Sequence, residues 1–146
     1  MASENVGTAP KERKRRRKVV VARGKRKEAV ARATVKDGSG LFAYNGKPLA
    51  LMSDALLRQV VREPLRFVDP SKFDVSINVG GGGVMGQAQA ARTALSKALV
   101  AIGKDETLKE RMLDADRSLL VEDPRRVEPK KFKGPKARAR FTKSYR

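Results

Sequence analysis

Four consecutive glycines at residues 80–83, followed by another at residue 86, are the first feature of this sequence that suggests chemistry. They separate an alternating apolar segment from an alanine-rich one. A glycine loop between a strand and a helix is a common phosphate-binding arrangement, because backbone N–H groups and the helix N-terminus face the anion. Two interpretations stay open: the loop holds an RNA phosphate, or its glycines only let the helix approach the sheet closely. The candidate phosphate loop consists of Gly80, Gly81, Gly82, Gly83 and Gly86.

The residues around this loop argue against nucleotide chemistry. The spacing fits a P-loop, but Gln87 stands where that motif has its lysine and Ala88 where it has the hydroxyl that holds Mg²⁺. A dinucleotide fingerprint is rejected because the acids at the right distance, Asp105 and Glu106, follow a helix end and not a second strand. A small sugar- or nucleotide-phosphate kinase remains a competing hypothesis, which a magnesium ligand near the loop would favour.

The absence of histidine and cysteine excludes several classes of function. A Cys/His zinc site, a disulfide scaffold, a cysteine nucleophile and a Ser-His-Asp relay all need residues that the chain lacks. With these exclusions and the mismatches around the glycine loop, we assign no catalytic residue, no cofactor and no metal to the chain, and we do not expect an enzyme.

The net charge of +18 is concentrated at the two ends of the 146 residues. Residues 1–27 carry 11 Lys or Arg against two acids, residues 124–146 carry 10 against one, and residues 28–123 balance 13 with 13. Ordering about twenty tail residues costs about 1–2 kcal/mol each, which the few apolar side chains there cannot offset. We therefore predict that the tail becomes ordered only on a polyanion.

Two cationic ends around a neutral domain indicate that this polyanion is a nucleic acid. A membrane surface would favour an amphipathic helix, which the prolines and the glycine of the tail prevent. No apolar run is long enough to span a bilayer and no signal peptide is recognised, so a cytoplasmic protein is expected. An architectural DNA-binding protein is the other hypothesis, although no predicted helix carries a clustered basic face for the major groove.

The neutral segment predicts an α+β fold, with helices covering one face of a mostly antiparallel sheet. Strands are predicted over residues 19–22, 28–36, 41–44 and 72–79, with a tight turn at residues 45–46 and a last strand over residues 119–121. Helices are predicted after an N-cap at residues 53–54, over residues 88–102 and over residues 106–115. The predicted organisation is a basic N-terminal extension (1–18), a globular domain (19–123) and an extended basic tail (124–146).

Several motifs occur in the order found in one protein family. They include Gly24-Lys25-Arg26-Lys27-Glu28-Ala29-Val30-Ala31-Arg32-Ala33, Asn78-Val79-Gly80-Gly81-Gly82-Gly83, Gly86-Gln87-Ala88, Asp123-Pro124-Arg125 and Lys136-Ala137-Arg138. In these motifs the chain resembles the small-subunit ribosomal protein nine family, from about residue 17 to its end. Its last residues resemble the archaeal and eukaryotic form.

This resemblance implies a ribosomal protein S-five domain-two-like fold with a left-handed βαβ crossover. It implies a structural constituent of the small-subunit head that binds small-subunit rRNA, lies beside neighbouring head proteins and touches the anticodon stem-loop of peptidyl-site tRNA. The basic residues expected to bind rRNA are Arg13, Lys14, Arg15, Arg16, Arg17, Lys18, Arg23, Lys25, Arg26, Lys27, Arg125, Arg126, Lys130, Lys131, Lys133, Lys136, Arg138 and Arg140. The residues expected to contact tRNA are Lys143, Ser144, Tyr145 and Arg146.

Overall fold

The computed structural model describes residues 18–143 and contains one five-stranded sheet. Its strands are β1 (Val19–Arg26), β2 (Ala29–Asp37), β3 (Phe42–Tyr44), β4 (Lys47–Pro48) and β5 (Phe73–Gly80). They lie in the order β1-β2-β5-β3-β4, and neighbours are antiparallel except for the parallel pair of β3 and β5. The predicted α+β fold with a mostly antiparallel sheet is confirmed.

Within residues 18–143, three α-helices accompany the sheet: α1 (Ala55–Arg62), α2 (Val84–Gly103) and α3 (Glu106–Ala115). The side chain of Asp54 accepts hydrogen bonds from the backbone N–H groups of Leu56 and Leu57 in the first turn of α1, as the predicted N-cap requires. Lys104, in the left-handed conformation, ends α2. Within residues 18–143, no helix is long and apolar enough to cross a membrane.

Helix α2 packs against one face of the sheet, which we call the covered face. Alternate residues of β2 line it and are fully buried, as the period of two predicts. They are Ala29, Ala31, Ala33 and Val35. The helix approaches so closely that a Cβ at Gly24 of β1 would lie 2.2 Å from the carbonyl oxygen of Ala90. Small side chains therefore set the distance between the two layers.

Three local predictions need correction. Strand β1 continues four residues beyond the predicted end, because its basic second half pairs in register with β2. A short strand β4 follows the turn at Asn45 and Gly46, whose positive φ angles of 48° and 76° fit a tight hairpin. The last predicted strand is wrong: Arg117–Leu119 forms a 3-10 turn, because the Asp116 side chain accepts from the N–H of Ser118 and holds the backbone in a turn.

From Pro124 to Lys143 the chain contains neither helix nor strand. Its backbone bends over residues 132–138, and among its residues only Gly134 is buried. A Cβ at Gly134 would lie 2.4 Å from the carbonyl oxygen of Ala139, so this bend requires a glycine.

Candidate nucleic-acid interface

The open face of the sheet consists of the residues of β1, β2 and β5 that point away from α2. The strand register places Arg23 opposite Arg32, and Arg32 opposite Asn78. Arg23, Arg32 and Asn78 are exposed, and within residues 18–143 no helix packs on this face. Side chains directly opposite each other lie about 5 Å apart at their Cβ atoms, so the two arginines face the same space.

Two arginines in such a cross-strand pair repel each other unless an anion lies between them. Among the described residues, neither Arg23 nor Arg32 forms an ion pair with a carboxylate. Lys25, two residues further along β1 and opposite Val30, extends the same face. The open face can therefore accept an external anion such as a phosphate.

Arg26 points to the covered side of the sheet and has a different environment. Its Nη1 lies 2.5 Å from a carboxylate oxygen of Asp123, and its Nε donates to Gln89 at 2.9 Å. The Arg26 side chain is only 18% exposed. The charge of Arg26 is thus already paired inside the molecule, although the sequence analysis includes this residue among those expected to bind rRNA.

Asp123 fixes the beginning of the tail to β1. Besides Arg26 it contacts Arg125, whose backbone N–H donates at 2.8 Å and whose Nη2 lies 2.6 Å away. The hydrogen bond from the Arg125 side chain is the main reason that the pKa of Asp123 lies far below its ordinary value of 3.8. The carboxylate stays ionised at neutral pH, and the tail leaves the domain from a defined point.

A second pair closes a loop within the tail. The Nε and Nη2 of Arg138 donate to the two carboxylate oxygens of Glu128 at 3.0 and 2.6 Å, a two-pronged contact that lowers the pKa of Glu128. The loop between them carries Lys130, Lys131 and Lys133, together with the phenyl ring of Phe132. Lys133 lies over that ring, 5.7 Å from its centre.

The cations of this loop face solvent. The side chains of Lys130, Lys131, Lys133 and Lys136 are exposed, and within residues 18–143 no carboxylate pairs with them. Phe132 is 86% exposed and Val127 83%, so neither side chain ties the tail to the domain core. The tail presents positive charge and an aromatic ring without burying either.

The glycine loop is shaped by its contact with the turn between β1 and β2. Gly81 and Gly82 have φ angles of +76° and +61°, and a Cβ on either would lie within 3 Å of the backbone of Glu28 or Ala29. The glycines are therefore needed for close packing. Gly83 caps α2 without a side-chain hydrogen bond, which leaves the N-terminus of the helix open to an anion.

Some predicted site residues lie outside the described residues. They are Arg13, Lys14, Arg15, Arg16 and Arg17 at one end, and Ser144, Tyr145 and Arg146 at the other. Lys18 is described, and its Nζ donates to the carbonyl of Ile102 at the end of α2. Lys27, in the β1–β2 turn, and Arg126, Arg140 and Lys143, in the tail, are exposed.

The sequence did not identify Arg32 and Asn78 as candidate binding residues. Arg32 belongs to the predicted alternation of β2, but its pairing with Arg23 depends on the register of the strands, which no local pattern reveals. No cluster of acidic side chains that could hold a metal ion occurs within residues 18–143.

Comparison with known proteins identifies the family of this chain. Residues 24–146 match the family described as ribosomal protein S9/S16. The chain is 47% identical over 131 residues to the small ribosomal subunit protein uS9 of Methanothrix thermoacetophila, covering 88% of this chain and 99% of that protein. For the uS9 proteins of Picrophilus torridus and Halobacterium salinarum, the identities are 47% over 129 residues and 46% over 126. These two alignments cover 87% and 84% of this chain, and 97% and 96% of the respective relatives.

The chain therefore belongs to the ribosomal protein S9/S16 family. The resemblance noted in its motifs is confirmed.

Proposed function

We propose that this protein is a structural constituent of the small ribosomal subunit in the cytoplasm, and that its basic ends and the open face bind small-subunit rRNA. The observation that carries this proposal is the unpaired positive charge of the tail. Four lysines there are exposed and without a carboxylate partner among residues 18–143. Membership in a ribosomal protein family supports rRNA, rather than DNA, as the polyanion.

The open face and the tail contribute different contacts in this proposal. Arg23 and Arg32 form a rigid cationic pair on the sheet, and a phosphate between them relieves their repulsion. The lysines of the tail loop follow an irregular RNA surface, and the exposed ring of Phe132 stacks on an unpaired base. The glycine loop offers an additional phosphate position at the N-terminus of α2.

The dependence of binding on salt tests this function directly. If ten of the 21 Lys and Arg residues in the two ends pair with phosphates, the log–log slope of rRNA affinity against salt is about −7 to −9. Replacing Lys130, Lys131, Lys133 and Lys136 together by Gln removes four contacts and reduces the magnitude of the slope by about 3. The matched control replaces four exposed cations of the domain (Lys47, Lys104, Lys109 and Arg117) by Gln and leaves the slope nearly unchanged.

A slope near −2 for the unaltered chain would contradict the proposal, because it would leave most cations of the two ends without a phosphate. Equal effects of the tail and control variants would contradict it as well, since they would show that only the total charge matters.

We also propose that the last residues contact peptidyl-site tRNA, and that the domain lies beside other proteins of the subunit head. Deleting Lys143 through Arg146 is expected to weaken tRNA retention in the peptidyl site while subunits still assemble. Retention is measured by filter binding of labelled tRNA to purified subunits. Loss of the truncated protein from assembled subunits would show instead that these residues anchor the protein.

A further inference from the structure

A groove lies between α1, the chain segment that follows it, and strands β3 and β5. Its volume is about 560 Å³, within the range of pockets that hold small ligands. Its apolar lining includes Phe42, Leu65, Phe73 and Val75, and three arginines also line it: Arg58, Arg62 and Arg66. No acidic side chain belongs to the lining.

The local sequence explains why the arginines lie beside the apolar lining. In α1 the buried residues are Leu57 and Val61, four positions apart. Each is followed by an arginine, which lies about 100° further round the helix and so at the flank of the buried stripe. After Arg62 the chain continues as the 3-10 turn Glu63–Phe67, which brings Arg66 to the same groove.

The carboxylates nearest to the groove in the sequence are occupied elsewhere. Asp54 caps α1, and Asp69 pairs with Lys72 at 2.6 Å. Glu63 pairs with Arg92 of α2 at 2.6 Å. Within residues 18–143 no carboxylate pairs with any of the three groove arginines, so the groove carries uncompensated positive charge.

We propose that this groove binds an unpaired nucleotide of RNA, with its base against the two phenylalanines and its phosphates at the arginines. An unpaired nucleotide combines a flat base with negative charge, and this lining offers a counterpart to each. Aromatic rings and guanidinium planes stack on splayed-out bases, and the guanidinium fork binds phosphate. Arg58 and Arg62, one helical turn apart, are separated by about 6 Å along the helix axis, so they can reach neighbouring phosphates.

This inference rests on the proposed function, because it requires an RNA partner, but it concerns a site remote in sequence from both basic ends. Its test is photo-cross-linking of the full chain to a short single-stranded RNA oligomer that contains 4-thiouridine, with the cross-linked residues mapped by mass spectrometry. We expect cross-links at Phe42 or Phe73. They should be lost when Arg58, Arg62 and Arg66 are replaced together by Gln.

The matched control replaces Lys104, Lys109 and Arg117 by Gln, which removes the same charge away from the groove and should keep the cross-links. Thermal unfolding of both variants shows whether each is folded. A second measurement needs no variant: phenylglyoxal modification of the three groove arginines in the unaltered chain should be slowed by the RNA oligomer and not by polyglutamate.

Cross-links confined to the tail would overturn the groove proposal and leave the proposed function intact. Protection of the arginines by polyglutamate but not by RNA would overturn it in favour of an acidic protein segment. If the chain bound no RNA at all, both this experiment and the salt-dependence experiment would fail. If only the groove proposal is wrong, the salt dependence remains, so the two failures can be told apart.

Discussion

The folded domain and the tail differ in where their side chains point. In the domain, apolar residues from the sheet and three helices form one buried core, and α2 approaches β1 too closely for a Cβ at Gly24. In the tail, from residue 124 to residue 143, only Gly134 is buried, and the large apolar side chains are exposed. The domain is stabilised by a closely packed core, whereas the tail adds almost no buried side chain to it.

Because of this difference, we expect substitutions in the two regions to change different properties of the protein. A change of one methyl group in the domain meets a fixed backbone, so its effect appears in the free energy of unfolding. The loss of a whole side chain in the tail breaks no contact with the core, so under the proposed function we expect its effect in RNA binding and not in stability. The following substitutions test this distinction, in order of decreasing effect on stability.

The substitution Gly24→Ala should destabilise the domain most. Its new Cβ would lie 2.2 Å from a backbone oxygen of α2, and relieving that overlap requires helix and sheet to separate. Overpacking of this kind typically costs about 1–3 kcal/mol and occasionally more. Chemical denaturation measures the change in the free energy of unfolding.

The matched control is Gly80→Ala, because nothing lies within 4 Å of the Cβ it would add. A similar loss of stability in both variants would show that close packing at Gly24 is not the cause.

The substitution Asp74→Asn should have a smaller, pH-dependent effect. The Asp74 carboxylate accepts from the N–H groups of Ser39 and Leu41 at 2.8 and 3.1 Å, and these bonds hold its pKa below 3.8. A lowered pKa stabilises the fold above about pH 4, and this contribution disappears as the pH falls through the lowered value. The melting temperature of the variant should therefore be lower at pH 7, and the difference should close in acid.

The exposed Asp114 on α3 provides the comparison for this experiment, since Asp114→Asn should leave the melting temperature unchanged at both pH values. If the difference in melting temperature between Asp74→Asn and the unaltered protein stayed constant down to pH 2, the role assigned to the charge would be refuted.

The substitution Gly83→Asp separates the two interpretations of the glycine loop. Gly83 has an ordinary φ of −102° and open space around a Cβ, so an aspartate fits there and can cap α2. Replacing glycine by aspartate at this position typically stabilises a helix by about a few tenths of a kcal/mol. If the loop holds an RNA phosphate, the new carboxylate lowers RNA affinity while the melting temperature rises.

Gly83→Asn is the control, because asparagine caps the helix without adding charge. Equal RNA affinity of the aspartate and asparagine variants would leave the glycines with a packing role only.

The substitution Glu128→Gln should change stability least. The Arg138 side chain is 86% exposed and that of Glu128 48%, and pairs this accessible to solvent contribute little to the free energy of unfolding. The melting temperature should stay within experimental error, while the altered tail loop changes RNA affinity. A clear drop in melting temperature would show that the tail is part of the folded unit, contrary to the comparison above.

Much of the domain could be predicted because its signals are local. The alternation in β2 and β5, the cap at Asp54 and the turn at Asn45 and Gly46 each depend on residues close together in the sequence. The full length of β1 could not be predicted, because glycine and basic residues are weak strand formers and only pairing with β2 keeps them extended.

The candidate sites divide in the same way. The cationic tail could be recognised from composition alone. The pairing of Arg23 with Arg32 and the groove of Arg58, Arg62 and Arg66 depend on the strand register and on the crossover from β3 through α1 to β5. The internal pairing of Arg26 with Asp123 was missed for the same reason, since 97 positions separate them in the chain.

Strand β1 forms an edge of the sheet. The N-terminal extension joins one end of this strand, and the tail starts beside its other end. The chain enters β1 after Lys18, and the tail starts from Asp123, which is held by Arg26 at the other end. Eight residues of strand span about 25 Å. The domain therefore separates the starting points of the two basic ends by a fixed distance, which the length of this strand determines.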